Sequence, residues 1–300
     1  MHFMNVGHTC VNAARLVHAV TGEPPGADTL HEAYRAAISA PWMRPFPAER
    51  EGVSIVHDVE PWASHCRGRG IFEEIFAGAG AGPVGAATRA HRDSRMAAAL
   101  DLVQDISPDL RLMVELLVTD VLLVDTDEAG GGSHSSIPGL VVLSPGADWD
   151  TGDYAMSLVH EFMHLNLFLA DSVYGVFTLS SDELEDERYL ALSAVKGRRR
   201  PLDRAFHAAV VTVPVILMRH RLGMSPFDAS GPEEFQRACA DLQRHEGVFS
   251  DYGRLLLGEL TAFSRNLDVA HAGRCVSDPR YAAYPPVPFT HGAIPQERLL

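Results

Sequence analysis

Apolar residues recur at helical spacing from Asn5 to Val20 and again from about Asp28 to Ala40, with Glu23-Pro24-Pro25-Gly26 as a turn between them. Pro41-Trp42-Met43-Arg44-Pro45 closes the second stretch. The next break is Ala77 to Gly85 (AGAGAGPVG), where glycine makes an ordered backbone costly and marks a loop or linker. It sets the expected organisation: an N-terminal helical region over residues 1–85 and a larger domain over 86–300, with one continuous domain as the alternative. Helical spacing resumes from Arg95 to Val118. Asp120 to Asp125 (DVLLVD) then reads as a strand, Gly130 to Gly132 as a glycine-rich turn, and Ile137 to Ser144 (IPGLVVLS) as a second strand stopped by Pro145-Gly146. The pattern predicts an α+β fold, predominantly helical, with a small sheet packed on the helix that follows it.

That helix carries the chemistry. Asp150 or Thr151 suits its N-cap, and nothing breaks it from Tyr154 to Leu169 before the polar Asp171-Ser172. Met156, Leu158, Val159, Phe162, Met163, Leu165, Leu167 and Phe168 leave no polar side, which predicts a buried helix. Within it stands His160-Glu161-Phe162-Met163-His164, an HExxH motif. Its two histidines lie one turn apart on one face and can aim ring nitrogens at a single cation. Glu161 sits about 100° round the helix, where it can activate metal-bound water, polarise a substrate group or orient a ligand. The plain alternative is a hydrogen-bonded core cluster. A shared metal satisfies all these buried polar atoms at once and is the stronger expectation.

Catalytic sites usually take three protein ligands. Asp182 to Glu187 (DELEDE) offers Glu183, Glu185 or Asp186, although such a run is ordinarily a solvated acidic helix start. His207 follows Pro201, which suits a first helical turn, and stands beside the apolar face of Phe206, Val210 and Val213. It is the favoured third ligand. Arg200 lies two turns earlier on a similar face and can hold a carboxylate of a small dicarboxylic acid; Arg198 and Arg199 offer the same charge in poorer positions.

Composition narrows the classes. The 300 residues are 46% hydrophobic and 21% charged, enough for a large core. The formal net charge of -14 repels nucleic-acid phosphates and anionic membranes, so neither partner is expected. Cys10, Cys66, Cys239 and Cys275 form no CxxC pair and fit a reducing cytoplasm. The longest apolar run, Ala208 to Met218, is too short to span a bilayer. Gly80-x-Gly82-x-x-Gly85 formally matches a dinucleotide-binding pattern, but without a buried strand before it the connector reading prevails. Pro214 is expected to kink its helix, and the C-terminal third, ending in Pro285-Pro286-Val287-Pro288, offers no chemistry of its own.

Taken in order, Ser133-x-Ser135-Ser136, Ile137-Pro138-Gly139 and a strand, Leu158 to His164, Arg200-Pro201-Leu202 and His207 resemble the HExxH-motif peptide-modification proteins encoded beside ribosomally made natural-product peptides. The likeness covers roughly Leu110 to Met218. It implies an iron(II)- and 2-oxoglutarate-dependent oxygenase that hydroxylates a β-carbon of a precursor peptide. It implies His160, His164 and His207 as ligands and Arg200 as the holder of a 2-oxoglutarate carboxylate, with Arg198 nearby. If the usual two-histidine, one-carboxylate set is required, Glu183, Glu185 or Asp186 replaces His207. Two other readings compete: a zinc metallopeptidase with Glu161 as general base and the strand Ile137 to Ser144 pairing with an extended substrate, and a non-catalytic peptide-binding protein.

Overall fold

Ser107 and Pro108 turn one expected helix into two. Ser107 is extended, its hydroxyl accepts from the Leu110 backbone N–H at 3.2 Å, and Pro108, which has no N–H to lose, opens the second helix. The computed structural model describes residues 1–48, 52–78, 85–227 and 231–284. Most of the Gly80-x-Gly82-x-x-Gly85 pattern and the proline-rich tail lie outside the described residues. In chain order the elements are α1 (Val6–Thr21), α2 (Leu30–Ala37), β1 (Ser54–Val56), α3 (Glu60–Cys66), α4 (Glu73–Gly78), α5 (Ala86–Ile106), α6 (Pro108–Leu117), β2 (Asp120–Leu123), β3 (Gly130–Ser133) and β4 (Leu140–Ser144). There follow α7 (Thr151–Tyr174), α8 (Ser181–Leu184), β5 (Leu190–Leu192), β6 (Arg199–Pro201), α9 (Leu202–Arg221), α10 (Gly231–Gln243), α11 (Asp251–Asn266) and α12 (Val269–Cys275). The fold is α+β and predominantly helical, with a small mixed sheet and a two-stranded hairpin.

Among the described residues the chain forms two compact units. One holds Met1–Asn12 and the described chain from Asn166 on; the other is Ala13–Leu165, within which the glycine break near residue 85 falls.

The Ala13–Leu165 unit contains the four-stranded sheet, ordered β1-β2-β4-β3. The first three of these strands are parallel, and β3 runs antiparallel to β4, with Gly131 opposite Leu143 and Ser133 opposite Val141. Gly130 to Gly132 are therefore strand rather than turn, a correction with a steric cause. A Cβ at Gly131 would meet Leu143 Cδ2 at 2.7 Å, so a side chain there would make Leu143 shift, and glycine lets β3 lie this close without that cost. Leu122, Leu140, Val142 and Ile137 form the core on one side with Trp62 and Cys66 of α3. Helix α7 enters this unit with Asp150 and Asp153 capping each other reciprocally, at 2.9 and 3.0 Å. Leu158, Val159, Phe162 and Met163 are fully buried, as its uniformly apolar sequence predicts.

In the other unit α7 runs on through Asp171-Ser172 and stops only at Gly175, whose φ of +70° ends the helix as a left-handed glycine does. Helix α9 is the buried centre, with Phe206, Ala209, Val210, Val213 and Met218 wholly covered. Phe177, Phe206 and Phe249 pack on one another with ring centroids 4.8 to 5.9 Å apart. Pro214 lies inside α9, and Pro201 stands at its N-cap. No helix among the described residues is long and apolar enough to cross a membrane.

Candidate metal centre

Two turns of α7 place His160 and His164 on one face, and their rings stand in an edge arrangement with centroids 5.1 Å apart and planes 67° apart. Two imidazoles bound to one ion through nitrogens at about 2.1 Å have centroids about 5 Å apart, so the spacing fits a shared cation. Both histidines are half-buried, whereas Glu161 is buried, 6% exposed. Its Oε2 accepts the Ser133 hydroxyl at 2.9 Å. Burial pushes the Glu161 carboxyl up to about 7, a rise that the Ser133 hydrogen bond opposes.

Strand β3 explains how Ser133 comes to be there. Residues two apart share a strand face, and Gly131 and Ser133 both face Glu161, while Gly132 faces Phe72 and Ile75. A Cβ on Gly131 would stand 3.0 Å from Glu161 Oε1. The Ser133 partner and the Gly131 approach escape sequence reading because the glycine run reads as a turn. The signal was the alternation of Gly131 and Ser133 once that run is taken as strand.

β4 is paired on both sides, with β2 and β3. The strand Ile137 to Ser144, expected to pair with an extended substrate, thus has no free edge; β1 and β3 are the edge strands.

The other predicted site residues belong to the unit that holds α9. His207 lies on α9 beside Phe168, ring centroids 4.9 Å apart. Desolvation lowers its pKa to about 4, which leaves a neutral imidazole at physiological pH. Arg200 is half-buried on β6; desolvation, then the nearby Arg204 and Arg198, lower its pKa without discharging it. Arg198 is exposed. The acidic alternatives are engaged elsewhere and exposed. Glu183 closes a capping box with Ser180, Glu185 pairs with Arg204 at 2.9 Å, and Asp186 caps the turn at Arg188. Among the described residues no three His, Cys, Asp or Glu side chains stand together as a ligand set, so the structure assembles the pair and Glu161 but no third ligand.

No family model matches the chain, and no curated protein matches it.

Proposed function

We propose that this protein is an iron(II)- and 2-oxoglutarate-dependent oxygenase that hydroxylates a β-carbon in a ribosomally made precursor peptide. The observation that carries the reading is the His160–His164 pair, 5.1 Å between ring centroids, beside a Glu161 held by Ser133. Imidazole pairs suit iron(II) and zinc alike; iron is what the resemblance carried by the motifs from Ser133 to His207 implies. Iron(II) with 2-oxoglutarate and oxygen supplies the oxidising power to functionalise an unactivated carbon. The chain's part is to hold and orient. His160 and His164 grip the ion, and the resemblance adds the neutral His207. Arg200 takes a cosubstrate carboxylate, with Arg198 adding positive charge. Glu161, fixed through Oε2, orients what binds beside the pair.

A zinc metallopeptidase with Glu161 as general base is the second reading. It is favoured by the edge position of β3, next to Glu161, where an extended peptide can add as a strand. Metal analysis of protein purified without oxygen, followed by turnover assays, separates the two. Iron content, succinate formed from 2-oxoglutarate, and a peptide heavier by one oxygen atom are expected. Zinc content with peptide cleavage and no cosubstrate overturns the reading.

A further inference from the structure

In a chain of net charge -14, the hairpin of β5 and β6 concentrates positive charge. From Arg188 to Leu202 there is no acidic residue, against the five cations Arg188, Lys196, Arg198, Arg199 and Arg200. The register sorts the charges by position. Leu190 lies opposite Pro201 at the base and Leu192 opposite Arg199, which leaves Lys196 and Arg198 in the turn at the tip. The acidic run Asp182 to Glu187 leads into the base, where Asp186 pairs with Arg188 and Glu185 with Arg204.

At the tip the balance is different. Lys196 and Arg198 are exposed, and neither forms an ion pair among the described residues. Beside them Arg199 and Arg244, both more than half exposed, share the single buried carboxylate of Asp241. The neighbouring His245 has its pKa lowered by desolvation and then by Arg244 and Arg199, the direction a positive field gives.

The turn that presents these charges is preformed. Ser193 N–H donates to the Arg198 carbonyl at 2.9 Å, Gly197 N–H to the Ser193 carbonyl at 3.1 Å, and the buried Ser193 hydroxyl accepts from the Lys196 N–H at 3.2 Å. Gly197 takes the left-handed conformation that the turn needs, at φ +62°. Charges on such a turn meet a partner with little loss of backbone freedom. Val195, 50% exposed, adds an apolar contact at the same place.

Screening confines the field of the tip to about 8 Å at physiological salt. A long polyanion such as nucleic acid, or an anionic membrane, therefore also meets the acidic remainder of the surface and is repelled there. A short acidic stretch of polypeptide touches the tip alone, and its apolar side chains can lie on Val195.

We infer that the β5–β6 turn docks an acidic segment of a polypeptide partner, its carboxylates on Lys196 and Arg198 and its apolar side chains on Val195. That the partner is the precursor peptide rests on the oxygenase reading; the charge complementarity does not. Fluorescence anisotropy of the full chain with labelled hexaglutamate and hexaglutamine, without metal or 2-oxoglutarate, tests this. At about 50 mM salt hexaglutamate should bind about tenfold tighter than hexaglutamine, and about 500 mM salt should remove most of the difference. Lys196→Glu with Arg198→Glu should abolish the preference. Arg188→Glu with Arg280→Glu makes the same change in net charge at exposed cations that already have carboxylate partners, and should keep it. The inference is overturned if the two peptides bind alike, if the control pair costs as much as the tip pair, or if the tip variant, with an unchanged melting curve, binds as the parent does. Tip-dependent binding of oligothymidylate or phosphatidylserine vesicles tighter than that of hexaglutamate overturns the choice of partner. Zinc in place of iron overturns the oxygenase reading and leaves this result standing, whereas hydroxylation by a chain that ignores hexaglutamate removes only the docking surface.

Discussion

Ser133 Oγ donates to Glu161 Oε2 across 2.9 Å, joining the edge strand β3 to the first half of the HExxH helix. The carboxyl is buried, so this bond supplies a partner in a place where water is scarce. Ser133→Ala removes the donor and leaves the acceptor behind. It should cost about 1–2 kcal/mol in denaturant unfolding, with Ser133→Thr recovering most of the loss. Stability unchanged by Ser133→Ala would show that the bond holds nothing.

The glycine run of β3 gives a contrast within three residues. A Cβ on Gly130 meets nothing within 4 Å, whereas one on Gly131 strikes Leu143 Cδ2 at 2.7 Å and Glu161 Oε1 at 3.0 Å. Gly130→Ala should be near neutral and Gly131→Ala should destabilise by about 1–3 kcal/mol through overpacking. Thermal melts of the two variants side by side measure the difference. Equal Tm values would mean that β3 does not lie against Glu161.

Much of this arrangement was legible from periodicity alone. The uniformly apolar Leu158 to Phe168 stretch announced a buried helix, and 3.6 residues per turn put His160 and His164 on one face. Asp120 to Leu123 and Leu140 to Ser144 were legible as strands because short β-rich runs bounded by turn residues have few other uses. What failed was local and steric. Gly130 to Gly132 look like a turn because glycine's entropy disfavours strands, yet close packing against Leu143 and Glu161 overrides that preference. Pro108 split a helix that periodicity alone joined, since apolar spacing carries on unbroken across a capped junction. β1 and the His57–Asp93 pair were invisible because residues 36 positions apart meet only through tertiary packing.

Metal content distinguishes the ligands one at a time. His160→Ala and His164→Ala should each abolish metal retention after dialysis, because one imidazole on α7 is a far weaker site than two. His207→Ala should lower affinity by tenfold or more, on the order expected for loss of one ligand. Glu183→Gln should leave metal content intact, since Glu183 serves the Ser180 capping box, where a glutamine oxygen accepts equally well. Elemental analysis of all four decides between histidine and carboxylate as third ligand. Metal loss in Glu183→Gln with none in His207→Ala would reverse the assignment.

The hairpin that carries Arg200 rests on a buried carboxylate. Asp241 of α10 has a side chain only 5% exposed; its Oδ2 accepts the Leu192 backbone N–H at 2.7 Å, and its Oδ1 pairs with Arg244 and, at 3.5 Å, with Arg199. Both arginines are more than half exposed, so water screens the pairs and the charge contributes less than in a dry interior. Asp241→Asn keeps an acceptor for Leu192 but loses the charge, and should cost about 1–2 kcal/mol. Asp241→Leu loses both and should cost more, releasing β5 from α10. Because β6 pairs with β5 through Ala191 and Arg200, the looser hairpin should also place Arg200 less well. Under the oxygenase reading, Asp241→Asn then raises KM for 2-oxoglutarate several-fold while kcat at saturation changes little, as expected for a loss of uniform binding. Amide hydrogen exchange at Leu192 and Arg200 reports the same loosening without any assay of activity, and unchanged protection there would rule out Asp241 as the anchor of the hairpin.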